Sequence, residues 1–376
     1  MDRRTAGPRH RILDFINTDA SARELLDHRV AQINRDPAYF NAICCSSGEH
    51  VDGLRARGHT VHVIDTPRVF APIPVFLSII ETAKLFRREK YDVVHLHGCL
   101  VGFIGRLAGL LAPQTRLIYQ AHGYHHHDNM NPLKKWVFIN VERVLSPLAR
   151  KHLFQNPSDV DETIKRHIAP KDKLVLVGNG VQLDQFATDR LPDDDPPVVL
   201  YVARMEAVKN HSMLFRAALI LRDRGVRFKI LLAGNGELME EHQRWVADQG
   251  LSDHIDFLGY RTDVPDLIAR ASVCVLTSWL EGLPRAVIEA AAAGRPVVAT
   301  DVVGTRSLMR DGETGFLVPY DDVGALADRL GQLLSDRSLR ERMGGQARAY
   351  ARLNFDERVV VDRIRVVYDD VLAEAD

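Results

Sequence analysis

The sequence predicts an α/β protein built from two Rossmann-like parallel-sheet domains, on three observations. Short apolar runs alternate with helix-like amphipathic runs along the chain, the pattern of parallel strands covered by helices on both faces. A polar, proline-rich break at 191–197 (Leu-Pro-Asp-Asp-Asp-Pro-Pro) interrupts that pattern, which then restarts. At 376 residues the chain is long for one ordinary domain and natural for two.

In the first half, strands are expected at 12–16, 42–44, 61–64, 93–96, 116–120, 153–155 and 174–177. Helical patterns separate them, for example at 22–33 and 73–88. Ser21 with Glu24 three residues on forms a capping box for the first of these helices. After the break, strands are expected at 198–202, 228–233, 255–258, 273–276 and 297–300, and a helical stretch at 356–374 closes the chain. The domains are therefore drawn at 1–190 and 197–354, with 355–376 as a terminal helix. Asp193 to Asp195 spells Asp-x-Asp, but between prolines and away from any strand end it reads as a solvated linker.

Bulk properties exclude several classes. With 46% hydrophobic and 26% charged residues the chain can bury real cores. A net charge of -1 argues against a general nucleic-acid binder. Cys44, Cys45, Cys99 and Cys274 form no Cys-x-x-Cys pair, which fits buried thiols in a reducing cytoplasm. The N-terminus is polar and basic, with no apolar core of a signal peptide. The longest apolar stretches, 69–80 and 100–112, are broken by Pro72, Pro74 and Arg106, short of the roughly 20 residues a membrane span needs. A soluble or peripheral cytoplasmic protein is expected.

The most informative stretch is 273–289. An apolar strand runs into Glu281-Gly282-Leu283-Pro284, and a helix is expected to begin at Pro284, carrying Glu289 in its second turn. The amides of Gly282 and Leu283 would then sit at a helix N-terminus, where an anion is welcome. Two carboxylates around an anion site suit a ligand with both hydroxyls and phosphate, such as a nucleotide sugar. Two solvated glutamates on an ordinary α/β connection have the same bare spacing. A nicotinamide site is disfavoured, because Asn17-Thr-Asp-Ala-Ser-Ala after the first strand lacks Gly-x-Gly-x-x-Gly.

Glu281-Gly282-Leu283-Pro284 with Glu289 resembles the Glu-x7-Glu signature of retaining glycosyltransferases with the GT-B fold, family 4. Further matches fall in order along nearly the whole chain: Ala121-His122-Gly123, Gly178-Asn179-Gly180-Val181, Ala203-Arg204 through Lys209-Asn210, Ala233-Gly234-Asn235-Gly236, and Gly312-Glu-Thr-Gly315. The resemblance implies two domains facing each other across a cleft. The first would bind a hydroxyl acceptor such as a lipid-linked glycan or natural product, and the second a nucleotide sugar, with the last helix packing back on the first domain. It also implies transfer with retention from a donor such as UDP-hexose or UDP-N-acetylhexosamine, in surface-polysaccharide assembly or natural-product glycosylation. A sugar-nucleotide epimerase of the same fold and a non-catalytic nucleotide-sugar binder are the alternatives.

Residue by residue, the resemblance assigns Arg204 and Lys209 to the leaving diphosphate, where fixed cations favour the transition state over the ground state. Gly234, Asn235 and Gly236 would line the donor site, and the backbone at Tyr260 and Arg261 would edge the base. Glu289 would hold the ribose hydroxyls, and Glu281 with the amides of Gly282 and Leu283 the donor sugar and phosphate. His122 would lie by the transferred sugar and polarise a hydroxyl or the phosphate. No side-chain nucleophile is supplied, so retention implies same-face attack. Two departures stand out. The loop after the first strand lacks the glycine pair many relatives carry, leaving Asp19 as a candidate facing the acceptor, and Ser307 replaces a glutamate.

Thirteen of 16 histidines precede residue 191. His95 and His97 share a strand face, and 125–127 are consecutive histidines, yet no Cys or carboxylate motif completes a zinc set. No metal or other cofactor is expected. Residues 132–154 mix Lys134, Lys135, Arg143, Arg150 and Lys151 with Trp136, Phe138 and Ile139. They read either as an interfacial helix touching a membrane or as an ordinary amphipathic helix kinked at Pro147.

Overall fold

The computed structural model describes residues 10–67, 71–122, 131–186, 188, 192 and 195–374. Gly123, the three histidines at 125–127, and Leu191, Asp193 and Asp194 of the 191–197 break lie outside the described residues. The chain forms two compact units, Met1–Gly178 with Val360–Asp376, and Asn179–Val359.

The first unit is a seven-stranded parallel sheet: β1 (His10–Phe15), β2 (Tyr39–Cys45), β3 (Val61–Val63), β4 (Val93–His97), β5 (Arg116–Ala121), β6 (Lys151–Phe154) and β7 (Leu174–Leu176). Its order is β3-β2-β1-β4-β5-β6-β7, so the winding reverses between β1 and β4. Each strand falls where an apolar run predicted one. Alternate residues serve opposite faces, as the two-residue period of a strand requires. Leu13, Phe15, Val94, Leu96, Leu117 and Tyr119 pack with Ala83, Phe86 and Val101. Ile12, Val93, Ile118 and Leu153 pack with Val360, Ile364, Val367 and Tyr368 of the last helix, Glu357–Ala373.

Two local expectations are corrected. The first helix runs Asp19–Leu25 and a second Asp27–Ile33, with Leu26 between them. Its cap is Thr18, whose hydroxyl accepts from the Ser21 amide at 3.1 Å, not Ser21. A threonine just outside the apolar period competes with the serine inside it, and sequence spacing alone does not separate them. The 132–154 stretch is not one kinked helix. A helix spans Pro132–Leu145, Pro147 sits in the 3₁₀ turn Ser146–Leu148, and Lys151 already belongs to β6.

The helix Cys99–Leu110 lies close on the sheet because glycines line its inner side. A β-carbon at Gly102, Gly105 or Gly109 would come within 2.4, 2.2 and 2.5 Å of Tyr119, Leu96 and Leu117 respectively. Arg106 on the same helix is fully buried, 2.9 Å from the Glu142 carboxylate and over the Tyr119 ring at 4.3 Å. This ion pair ties in the Pro132–Leu145 helix, whose Ile139, Glu142 and Leu145 point inward. Burial pushes the Glu142 carboxyl up, and Arg106 opposes that shift.

The second unit is a six-stranded parallel sheet: β8 (Val198–Val202), β9 (Lys229–Ala233), β10 (Ile255–Gly259), β11 (Val273–Leu276), β12 (Val297–Thr300) and β13 (Gly315–Val318). Its order is β10-β9-β8-β11-β12-β13, reversing between β8 and β11. Strand β13 was not anticipated, because it is four residues long and begins at Gly315, the last residue of the Gly312–Gly315 turn motif. Cys44, Cys45 and Cys274 are buried free thiols, while Cys99 is half-buried. No helix among the described residues is long and apolar enough to cross a membrane.

The glycine-lined contact gives a direct prediction. In an open helix, Gly→Ala stabilises by up to about 1 kcal/mol. Gly345, in the helix Arg337–Asn354, has nothing within 4 Å of its would-be β-carbon. Gly345→Ala therefore raises the denaturation midpoint. Gly105→Ala lowers it instead, through a loss of about 1–3 kcal/mol in unfolding free energy, because buried Leu96 must shift. Urea melts of the two variants check the opposite signs.

Candidate active site

In open parallel sheets ligands bind beyond the carboxyl ends of the strands, at the point where the winding reverses. In the second unit that point lies between β8 and β11. After β8 the chain makes the 3₁₀ turn Ala207–Lys209, and Asn210 takes a left-handed conformation at φ 46 before the helix His211–Asp223. The loop after β11 pins this turn. Thr277 Oγ1 lies 3.0 and 2.9 Å from the carbonyl oxygens of Lys209 and Asn210. The Trp279 amide donates to the Val208 carbonyl at 3.1 Å, and the Tyr201 hydroxyl donates to that of Lys209. Held there, Lys209 Nζ reaches Glu281 Oε1 at 2.6 Å, with the two side chains only 19% and 9% exposed.

The structure thus brings Lys209 and Glu281 together. Arg204 is not with them. Its side chain is 73% exposed and pairs with Glu206 at 2.6 Å. Pro284 is the N-cap rather than the first helical residue, because its ψ of 111 is extended, and the helix runs Arg285–Ala292. Gly282 and Leu283 lead directly into this N-terminus, which has no side-chain cap. Glu289 lies one turn along, largely buried, with Arg285 Nε 3.6 Å from its carboxylate. Gly304 supports the loop from below: a β-carbon there would sit 2.6 Å from the carbonyl oxygens of Glu281 and Gly282.

The glycines after β9 have a physical cause that spacing did not reveal. A β-carbon at Gly234, whose φ is 147, would lie 1.9 Å from the Ala203 carbonyl oxygen, and one at Gly236 2.3 Å from that of Met205. The Met205 amide donates to the Asn235 carbonyl at 2.9 Å, and the Gly234 amide to that of Gly259 at 2.8 Å. Loops 203–205 and 234–236 therefore press backbone on backbone. Tyr260 is 74% exposed, and Arg261 forks onto Asp263, with Nε 2.7 Å from Oδ1. The Ser307 hydroxyl turns back to the Gly304 carbonyl at 2.9 Å.

In the first unit His122 follows β5, with Nε2 3.0 Å from His97 Nδ1 and Nδ1 2.9 Å from the Gln155 amide nitrogen. Burial pushes His122 down to about 4, with Arg29 adding to the shift. His97 Nε2 lies 2.6 Å from Asp14 Oδ1, and His95 Nδ1 3.4 Å from the same oxygen. Each of Asp14, His95 and His97 offers an atom within 4.8 Å of the others, a spacing a metal ion can use. The Arg29 guanidinium already holds that oxygen at 2.9 Å, so a second cation there would face direct repulsion. Asp19, the other first-unit candidate, accepts from the His50 amide at 2.9 Å and packs against Gly48.

Two family profiles match the chain: Glycosyltransferase Family 4 over residues 43–185 and Glycosyl transferases group 1 over residues 184–350. The alpha-D-kanosaminyltransferase of Streptomyces kanamyceticus is 32% identical over 323 residues, covering 78% of this chain and 81% of its own. The chain is a family 4 glycosyltransferase. An Escherichia coli UDP-Gal:alpha-D-GlcNAc-diphosphoundecaprenol alpha-1,3-galactosyltransferase is 26% identical, covering 89% of both chains. The crystal structure of Anabaena HepE in complex with UDP and glucose shares the fold, with a TM-score of 0.80 at 20% identity over 96% of this chain and all of that one. The fold is GT-B.

Sequence reasoning passed over Tyr201, Thr277 and Trp279, which place Lys209 in the glycosyltransferase. It also passed over Asp14, Arg29 and Gln155 around the histidines. Buried polar partners on separate elements leave no local spacing to read. His211 was likewise missed. It stacks on Tyr201 at 4.4 Å, is 1% exposed, and neither ring nitrogen has a hydrogen-bond partner among the described residues.

Two outcomes follow. Lys209→Ala lowers kcat on the order of 10²–10³-fold and raises donor KM less, because removing a preorganised charge acts on the transition state. Arg204→Ala acts in the same direction, and the double variant is less than additive if both serve one phosphate pair. Steady-state kinetics at saturating acceptor check this, and a wild-type rate for Lys209→Ala would make it a structural cation only. The second outcome concerns pH. Burial pushes His211 down to about 3, so the unfolded chain takes up a proton there before the folded one does. Stability from this residue is complete above the unfolded value of about 6.5 and is lost as pH falls toward 3. His211→Phe has a shallower loss of melting temperature between about pH 6.5 and 4 than the wild type.

Proposed function

We propose that this glycosyltransferase moves a hexose or N-acetylhexosamine, with retention and without a divalent metal, from a UDP donor to a hydroxyl acceptor. The observation that carries the proposal is the Lys209–Glu281 pair at 2.6 Å, set beside the uncapped N-terminus of the Arg285–Ala292 helix where the β8–β11 winding reverses. The unit Asn179–Val359 takes the donor and the other unit the acceptor. Lys209 and Arg204 face the diphosphate, and the amides of Gly282 and Leu283 complete its anion site. Glu281 is left to accept from a sugar hydroxyl, and Glu289 from the ribose. Gly234, Asn235 and Gly236 shape the floor, and the backbone at Tyr260 and Arg261 borders the base.

In the reaction the acceptor oxygen bonds to the anomeric carbon on the face from which the diphosphate leaves. The C–O bond to phosphate breaks, its electron pair stays on the phosphate oxygen, and that oxygen takes the acceptor proton. Lys209 and the helix amides stabilise the charge that develops, the role a divalent ion plays in other phosphate sites. A lipid-linked glycan is the acceptor class we favour, supported by the name of the Escherichia coli relative. Exposed Leu133, Trp136 and Val137 beside Lys134 and Lys135 on the Pro132–Leu145 helix support peripheral contact with the inner membrane face.

Calorimetric titration of UDP and UDP-hexoses in EDTA tests the donor reading. The wild type binds without added metal, and Glu289→Ala weakens binding by about 1.5–3 kcal/mol, the worth of charge-assisted hydrogen bonds. Unchanged affinity in Glu289→Ala, or binding that returns only with magnesium or manganese, would overturn it.

A further inference from the structure

We infer that Asp14 and His97 are positioning residues that lock His122 in one tautomer, with its proton on Nε2 and its Nδ1 lone pair left as an acceptor. The consequence for recognition depends on the reading above, in which His122 serves the transferred sugar.

Four polar side chains cross four adjacent strands at or just beyond their carboxyl ends. Asp14 is on β1, His97 ends β4, His122 follows β5, and Gln155 follows β6, in the sheet order β1-β4-β5-β6. Register makes them neighbours. Asp14 pairs with His95, His97 with Gln120, and Ala121 with Phe154. Each link spans one strand gap: 2.6 Å from Asp14 Oδ1 to His97 Nε2, 3.0 Å from His97 Nδ1 to His122 Nε2, and 2.9 Å from His122 Nδ1 to the Gln155 amide nitrogen.

Proton accounting along this row has one solution. Asp14 is a carboxylate: Oδ1 accepts from Arg29 Nη2 at 2.9 Å, and Oδ2 from Asn41 Nδ2 at 2.7 Å. An N···O approach of 2.6 Å to such an oxygen needs a proton on His97 Nε2. Arg29 Nη2 also lies 3.1 Å from His97 Nε2, but both are donors converging on Asp14 Oδ1. A neutral imidazole carries one proton, so His97 Nδ1 is a lone pair and His122 Nε2 must donate to it. His122 Nδ1 is then the lone pair that accepts from Gln155.

Neutrality of both rings has a physical cause. Burial pushes His97 well below the usual histidine range, and Arg29 and His122 add to it. Burial and Arg29 hold His122 near 4. The other groups facing the row are His95, with its ring centroid 4.1 Å from that of His97, and the Tyr368 hydroxyl, 2.9 Å from His95 Nδ1.

The locked form discriminates between ligand groups. A sugar hydroxyl that replaces the Gln155 amide has a proton to give Nδ1. The phosphate oxygens of the bound donor, ionised until the acceptor proton arrives, have none. His122 therefore reads a hydroxyl, and of the two roles the family resemblance left open, polarising the phosphate is the one this network removes.

Long-range ¹H–¹⁵N spectra of protein labelled at histidine nitrogen test the lock on the wild type itself, with His122 assigned by its loss in His122→Gln. The expected result is a neutral ring protonated at Nε2, unchanged from about pH 5 to 8. A ring protonated at Nδ1, or one that titrates in that window, overturns the inference. His97→Leu, which removes the acceptor, gives mixed tautomers and lowers kcat roughly 10–100-fold, the range seen when an orienting partner is taken from a histidine ligand. His97→Asn, which puts an amide oxygen near the Nδ1 position, restores the Nε2–H form and most of the rate. An Nε2–H ring in His97→Leu as well would show that Asp14 and His97 do not set it. If UDP-hexose leaves the Nδ1 signal unmoved while the tautomer is as stated, the lock stands and the assignment of His122 to the sugar falls.

Discussion

In a parallel sheet every strand must return to its starting edge through a crossover, so the carboxyl ends of all strands come out along one edge. Both units of this chain are built that way, with winding that reverses beside the first strand of each. Reversal sends neighbouring crossovers to opposite faces and leaves the loops at that point uncovered. The candidates in the second unit hang from that edge: Lys209 after β8, Gly234 after β9, Tyr260 after β10 and Glu281 after β11. In the first unit His122 follows β5, and Asp14 and His97 approach the same ends. No residue needs a long excursion to reach its place, because the pairing has already aligned the ends.

Charges held along such an edge behave differently from surface charges. An exposed pair such as Arg204–Glu206 is screened and contributes little to stability. Lys209–Glu281 and Arg29–Asp14 are largely or wholly withdrawn from water, so each charge depends on its partner and losing one leaves the other uncompensated. Glu281 neutralises Lys209. The same shelter keeps the His97 and His122 rings neutral, since charging them would cost solvation that nothing nearby returns.

Glycine plays a packing role wherever two backbones or a helix and a sheet must touch. Gly234 and Gly236 admit the loop after β8, Gly304 admits the loop that carries Glu281, and Gly102, Gly105 and Gly109 admit strand side chains against a helix. A Gly-x-Gly after a strand suggested ligand approach. In this fold its immediate cause is the meeting of two loops, and any room for a ligand is a consequence of how closely those loops lie.

The sequence by itself determined the fold class, the position of 12 of the 13 strands among the described residues, the family, and the residues at the strand ends that resemble its signature. These are readable because hydrophobic period and turn chemistry act within a few residues along the chain. It did not reveal β13, the Thr18 cap or the end of the Pro132–Leu145 helix before Pro147, where competing local signals differ by too little. Only the tertiary structure decided that Lys209 pairs with Glu281 while Arg204 does not, that Thr277 and Trp279 hold the turn, and that Asp14, His97, His122 and Gln155 form one row. Those contacts join residues on or just beyond separate strands, and strand order and register, which bring them within hydrogen-bond reach, have no local trace in the sequence.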